Sequence, residues 1–519
     1  MVQPAATADR AEHPHPIWDR WAAPAVVGGF GTAVAMWCVW FLTHLPALGL
    51  PAQVLGPALL LLVGVGGLAT ARLAPAGRGW QVGAMAGLVC GLINLMLVGS
   101  RIVEQPADGV EVGQLRPAAG LIVLGFLLLC TALGAAGGAM GKPRPVRPAP
   151  TTRQWLCRLA VVTGVAFLPL LLIGGLVTSA AAGMAVPDWP GSYGANMFLY
   201  PIGLMSHERI FLEHSHRLFG SMVGLTTVAL LLSVLGAGPP GTATNRARSL
   251  LGVALLIVAG VAFFGGVAWV NRGGAGPTIA TLGAMVAVGV TTRQIARGGE
   301  GARLRLWVVG LFLLVCVQGF LGGVRVTENS PWLAMFHGVL AQLLLAAAAS
   351  IATTLSSCAN AADRARPVSR DRRRRVLSTA LVLVLAVQLL FGAMYRHTLT
   401  MHPLWAHAAF SLVTVAIAAY AGSLAMGRRS GQDVDHPLRR LGVTLHALVG
   451  LQFLLGWVAF YLVMTASSRG GVPTHDLMDA TPMAPPHDVL LRTLHQANGA
   501  VLLAISAALA TLLRRLPRT

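Results

Sequence analysis

The stretch FLEHSHRLFG (211–220) sets a glutamate, two histidines and an arginine at the mouth of a long apolar run. Ionisable side chains within a membrane are expensive and by default mark a functional site. Glu213 precedes His216 by three residues, one helical turn, so both can face one site. A carboxylate there can take protons or stabilise developing positive charge, or it can be a helix-N-terminal acid favoured by the dipole. Arg217 fits a ligand carboxylate or the lipid interface. His214, two residues from His216, falls on another helix face and is peripheral.

The motif is one of four. LLLIGGLVTSAAAG (170–183), VQGFLGGVRVTENS (317–330), VQLLFGAMYRHTLT (387–400) and LQFLLGWVAFYLVM (451–464) each end a helix running one way. Each is followed by a helix running back, with a histidine near its start: EHSHRLFGSMVGL, WLAMFHGVLAQLLLA, PLWAHAAFSLVTV and LLRTLHQANGAVLLA. His216, His337, His407 and His495 therefore lie within about two turns of their helix starts, at similar depth. Histidine is the commonest neutral metal ligand, and facing helices of a bundle are a usual place for a metal or haem. Paired histidines can clamp a haem from both faces, and Arg217 would then meet a haem propionate. The plain alternative, a histidine bonded to a neighbouring helix carbonyl, suits an isolated residue better than four in register. His446 starts a helix of opposite direction and cannot join the set. His207, His397, His402, His475 and His487 read as solvated residues of the outer loops.

These residues need a membrane frame. Of 519 residues, 55% are hydrophobic and 11% charged, with mean hydropathy +0.69. A soluble chain carries about 25% charged residues, so the composition indicates an all-α polytopic membrane protein. Spans of about 20 apolar residues fall near 22–43, 53–71, 80–100, 117–140, 155–183, 216–236, 248–270, 276–294, 305–325, 331–355, 376–395, 403–426, 441–464 and 489–513, about fourteen transmembrane helices. The net charge of +20 sits in short segments between these runs, among them RARPVSRDRRRR (364–375), which is membrane topology rather than nucleic-acid binding. Arginines gather in alternate loops, and the other loops hold acids including Glu104, Asp108, Asp188, Glu208, Asp476 and Asp479. Both termini are thus expected in the cytoplasm, with the four histidines in the outer half of the membrane. Cys38, Cys90, Cys130, Cys157, Cys316 and Cys358 are scattered singly without CxxC or CxxCH, against a disulfide framework, a zinc site or covalently attached haem.

The expected organisation is an N-terminal four-helix unit (1–140) with no assignable chemistry and a basic Pro-rich cytoplasmic linker (141–153). A first four-helix bundle (154–358) follows, interrupted by an inserted helical hairpin (248–294). A basic cytoplasmic linker (359–375) then leads to a second four-helix bundle (376–519). The two bundles read as a pseudo-repeat.

Over about 155–515 the chain resembles the haem A synthase family. GMAVPDWPGSYG (183–194) looks like the family's outer loop with its DWP core, and EHSHR like its E-x-x-H-R. QGFLGGVRVT (318–327) with HGVLAQ (337–342) resembles the rest of its first bundle, and LHQANGAVLL (494–503) the end of its second. The resemblance implies oxidation of a methyl of haem O to the formyl of haem A for cytochrome oxidase assembly, in a bacterial-type inner (plasma) membrane with the active site toward the outer face. His216 and His337 would hold the substrate haem O, and later the product haem A. His407 and His495 would ligate a haem b cofactor, with Glu213 the catalytic carboxylate. Partners would be membrane lipid, haem O and an unidentified electron donor, with haem O synthase a candidate for the extra helices. The chain departs from the pattern at the loop cysteine pair of many bacterial members, where Val186 and Ser192 stand, so packing of NMFLYP (196–201) on the bilayer surface is expected to hold the loop instead. It departs again in having six helices beyond the family's eight.

Two other functions compete. A di-haem b-type cytochrome passing electrons from a quinone would use the same four histidines without needing Glu213. A transporter is compatible with repeated halves, yet the spans carry almost no Asp, Glu or Lys to couple ions.

Overall fold

The structure, a computed structural model, describes residues 21–48, 52–73, 78–104, 112–141, 150–237, 243–272, 275–297, 301–356, 372–427, 436–467 and 484–515. Among them are no β-strands and fourteen helices long and apolar enough to cross a membrane. The protein is an all-α multi-pass membrane protein. Most of both expected linkers, together with Asp108, Cys358, His475, Asp476 and Asp479, lies outside the described residues.

Helices α1 (Ala23–Thr43), α2 (Ala52–Leu73), α3 (Gly79–Val98) and α4 (Ala119–Met140) pack on one another. In α3 a glycine recurs every fourth residue, Gly79, Gly83, Gly87 and Gly91, and a Cβ on the first three would run into α4 backbone at Gly138, Gly134 and Cys130. With no hydrophobic force to drive helices together in lipid, such close backbone approach supplies the attraction. The unit leans on the next part of the chain through aromatic rings: Trp37 meets Phe219 at 5.4 Å and Phe41 stacks on Phe211 at 5.5 Å.

Two rings of four helices follow. In the first, α5 (Thr152–Ser179) packs on α6 (Glu208–Gly236), α6 on α9 (Ala302–Thr327), α9 on α10 (Pro331–Leu355), and α10 on α5. The second closes in the same order through α11 (Arg372–Thr398), α12 (Met401–Ala425), α13 (His436–Ser467) and α14 (Pro486–Arg515). Between the rings α10 meets α14, α5 meets α14, and α10 meets α11. First and last helices of each ring therefore face their counterparts, as a two-fold relation requires. The hairpin of α7 (Ala243–Arg272) and α8 (Ala275–Ala296) stays outside this contact, with α7 on α6 and α9 and α8 on α9.

Several helices outrun their apolar windows, two of them at the site. The run expected from 216 starts at Glu208, and the run expected to stop at 395 reaches Thr398. A hydropathy ruler halts at ionisable residues. Here Arg209, Glu213 and His214 are buried by the protein itself, which lets the helix continue through them.

Candidate functional site

Four copies of one hairpin build the site. In each, the helix preceding the histidine offers a glycine against which the Cε1 end of the ring packs. A Cβ at Gly174, Gly322 or Gly392 would stand 2.9 Å from Cε1 of His216, His337 or His407, and one at Gly456 3.2 Å from that of His495. Only glycine leaves the ring room. Four residues before three of these glycines is a glutamine. Gln318 donates its amide to the His337 backbone carbonyl at 2.9 Å, while His337 Nδ1 bonds the Gln318 carbonyl at 3.1 Å. Gln388 and His407 repeat both bonds at 2.9 Å. Gln452 instead turns its amide to the His495 ring, 3.2 Å from Nδ1, with its oxygen held by Asn498 at 2.8 Å. In the first copy the position is Leu170, whose carbonyl is the corresponding acceptor for His216, outside good hydrogen-bond geometry. A carbonyl can only accept. Nδ1 of His337 and His407 therefore carries the proton, and Nε2 is left with a lone pair, the state a metal ligand needs.

The rings meet in pairs. His216 and His337 stand 6.3 Å apart between ring centres with planes crossed at 79°, and His407 and His495 6.2 Å apart at 82°. An imidazole nitrogen lies about 1.1 Å from its ring centre and binds a transition metal at about 2.0–2.1 Å, so two rings ligating one ion from opposite sides stand about 6.2–6.4 Å apart. Both pairs fit that spacing. Among the described residues no group of three or more His, Cys, Asp or Glu could hold a bare metal ion. A haem, which brings its own equatorial nitrogens and asks the protein for axial ligands only, suits such a donor set. One cavity of about 2370 Å³ reaches both pairs.

Residues 266–402 match the family model described as cytochrome oxidase assembly protein (COX15-CtaA). The family read from the motifs is the family that matches. The segment covers about a quarter of the chain, from the end of α7 to the start of α12, and includes Gly322, His337 and Gly392. No curated protein and no solved structure matches the chain.

Against this family background the surroundings of the two pairs differ. Glu213, 2% exposed, lies beside the first pair. Arg217 Nε holds its Oε1 at 3.1 Å, and Arg325 stands 3.7 Å from Oε2, which accepts no hydrogen bond among the described residues. Arg217 is otherwise turned toward the loop before α6. Its NH1 donates to the Asp188 and Gly191 carbonyls at 2.6 and 2.9 Å, and its NH2 to the Val186 carbonyl at 2.6 Å. Four of its five N–H groups are thereby engaged. Arg217, Arg325 and Arg396 all line the cavity, and Arg325 and Arg396 make fewer hydrogen bonds to the protein than Arg217.

That clamp is what holds the loop without its disulfide. Val186 and Ser192 are fully buried, Ser192 bonds His214 Nδ1 at 3.2 Å, and Asp188 accepts from the Tyr193 and Gly194 amides. Residues 196–201, expected on the bilayer surface, run from an exposed Asn196 through half-buried 197–199 to buried Tyr200 and Pro201. Tyr200 is buried against His214, and the Phe198 carbonyl abuts Gly99 of the N-terminal unit, because that unit offers a protein face where lipid was assumed. Burial, and then Tyr193 and Asp188, push the Tyr200 phenol up to about 12.

At the second pair the residue one turn before His495 is Arg492, where the first pair has Glu213. Arg396 reaches across to the first bundle, donating to Ser179 Oγ at 2.6 Å and the Gly175 carbonyl at 3.3 Å. His397 is no solvated loop residue. It ends α11, half-buried on the cavity wall, since the helix runs past the apolar window. His207, His402 and His487 are exposed. His446 has both ring nitrogens engaged, Nδ1 with the Gly442 carbonyl at 2.8 Å and Nε2 with Ser423 at 3.4 Å, so it serves a structural role. Sequence reading missed the glycine partners, the glutamines, Arg325 and Arg396. The Q-x-x-x-G register in three of the four repeat strings was the available signal.

Proposed function

We propose that this chain is a haem A synthase, holding haem O between His216 and His337 and oxidising a ring methyl to the formyl group of haem A, with haem b between His407 and His495. One observation carries the reading: two pairs of like geometry differ in that only His216 has a carboxylate one turn away. The corresponding positions before His337, His407 and His495 are Ala334, Leu404 and Arg492. An electron-transfer protein has no need of that difference, whereas conversion of a methyl to a formyl group with water as the oxygen source releases four protons and four electrons, and a nearby carboxylate can take the protons while the electrons pass to an acceptor.

When bound, haem supplies the reacting methyl at the first pair and a one-electron carrier at the second. The chain's own part is to orient and to move protons. Arg217 and Arg325 fix the Glu213 carboxylate from two sides, and Oε2, which accepts no hydrogen bond among the described residues, is the oxygen left to receive protons released from the substrate. The Gln318 bonds keep His337 in the tautomer that can ligate. Trp189 and the clamped loop cover the cavity beside this pair. The same reading has both termini in the cytoplasm and the pairs in the outer half of a bacterial-type inner membrane, because the loops on one side carry the arginines. It leaves the electron-transfer partner unidentified.

The test is Glu213→Gln in cells that make haem O, with haems extracted from the purified protein and separated by chromatography. The variant should keep haem b and haem O while haem A, present in the wild type, disappears. Undiminished haem A in the variant would overturn the assignment of Glu213. Haem b alone in the wild type would indicate the di-haem cytochrome, and no haem at all would sink both readings.

A further inference from the structure

The inserted hairpin has no counterpart in the second bundle, and it does more than cover the first. Leu256, Ala259 and Gly260 of α7 line the same cavity as His216 and His337, as do Gly220 and Gly224 of α6 and Val315 of α9, and α7 packs on both α6 and α9. Gly220 and Gly224 lie one and two turns beyond His216, about 6 and 12 Å along the helix axis. A Cβ placed on Gly220, Gly224 or Gly260 meets no atom within 4 Å. Two helices thus turn glycines toward open space, in a stretch lined by no polar side chain among these six. Toward the loop, Trp189 packs edge-on against Phe263 at 5.7 Å and Phe320 at 6.4 Å, joining loop, hairpin and bundle in one aromatic contact.

Haem O differs from haem b by a long isoprenoid chain, an apolar group that needs apolar room continuous with its porphyrin site. The second pair, proposed for tailless haem b, lacks a hairpin wall. We propose that α7 forms one wall of a pocket for the isoprenoid tail of haem O. This rests on the haem O reading above and adds to it a role for helices outside the family's usual eight.

The glycines supply the test, since a larger side chain there fills space without displacing protein atoms. Gly260→Leu and Gly224→Leu would be made in the full chain, with Gly164→Leu as control, another helical glycine whose Cβ meets nothing but which is not on the cavity. Each protein, purified from cells making haem b and haem O, is assayed for both haems per chain. The two pocket variants should lose haem O by at least about tenfold, as overfilled sites do. Their haem b should rise from about one toward about two per chain, as the tailless haem takes the His216–His337 pair. The control should match wild type. Haem O retained in both pocket variants, or haem b and haem O lost in equal proportion, would overturn the tail pocket. A wild-type protein holding neither haem O nor haem A would overturn the haem O reading itself, and the pocket with it.

Discussion

Replacing Gly392 by alanine puts a Cβ 2.9 Å from His407 Cε1. Carbon atoms in contact settle at about 3.5–4.0 Å, so the ring must retreat by about 0.6 Å or more. Metal–nitrogen distances tolerate only about 0.2 Å. Nor can the ring swing aside freely, since His407 Nδ1 is tied to the Gln388 carbonyl at 2.9 Å. Helix propensity acts in the opposite direction, because alanine in a helix interior is favoured over glycine by about 1 kcal/mol. On the proposed haem b reading, ligation and folding should therefore separate: haem affinity at the second pair falls about 10–100-fold, while the haem-free protein melts no lower than wild type. At Gly456 the Cβ stands 3.2 Å from His495 Cε1, the retreat is about 0.3 Å, and the loss should be smaller. The assay is haem per chain with reduced-minus-oxidised absorption spectra, alongside thermal unfolding in detergent. His446→Leu, which removes a histidine bonded only to protein, should leave the spectra unchanged. A Gly392→Ala protein carrying its full low-spin haem would refute the reasoning that the glycine exists to seat the ring.

Two further outcomes follow from the loop before α6. Arg217→Ala removes three carbonyl contacts and leaves the Glu213 carboxylate with Arg325 at 3.7 Å, so stability should drop by about 3–5 kcal/mol. Protease access across 184–195 should rise, and unchanged melting would remove the clamp from the argument. Tyr200 gives a pH signature. Its phenol, raised to about 12, exceeds the unfolded value of about 10. The stabilisation it lends is therefore complete below about pH 10 and is lost as pH rises toward about 12. Ultraviolet titration should show a late phenolate contribution that Tyr200→Phe diminishes by one residue.

The frame and the four histidines were legible because each leaves a one-dimensional trace. Apolar runs announce helices, and a histidine at the same place in four repeats stands out against a background with few polar residues. The partners of those histidines leave no such trace. Gly174, Gly322, Gly392 and Gly456 are four among 61 glycines, and their use depends on which ring lies opposite. Arg217 was read by its charge, whereas three of its bonds go to backbone carbonyls, which have no residue type to recognise. Arg396 and His397 were set outside the membrane because charge ends an apolar window, although protein from the other bundle shelters Arg396. The hairpin could be read as an insertion, but that α7 reaches the cavity is a fact of packing alone.

Gly174 and Gly175 are neighbours that serve different bundles. One makes room for His216, and at the other a Cβ would stand 2.9 Å from the methyl of Thr493, two residues before His495. At this point the partition between the two sites is a single helix stripped of side chains on both sides. Any shift of α5 that follows filling of one compartment is passed to α14 at Thr493, two residues before His495. Thermodynamic linkage makes such traffic mutual: whatever loading the first compartment does to the affinity of the second, loading the second does to the first.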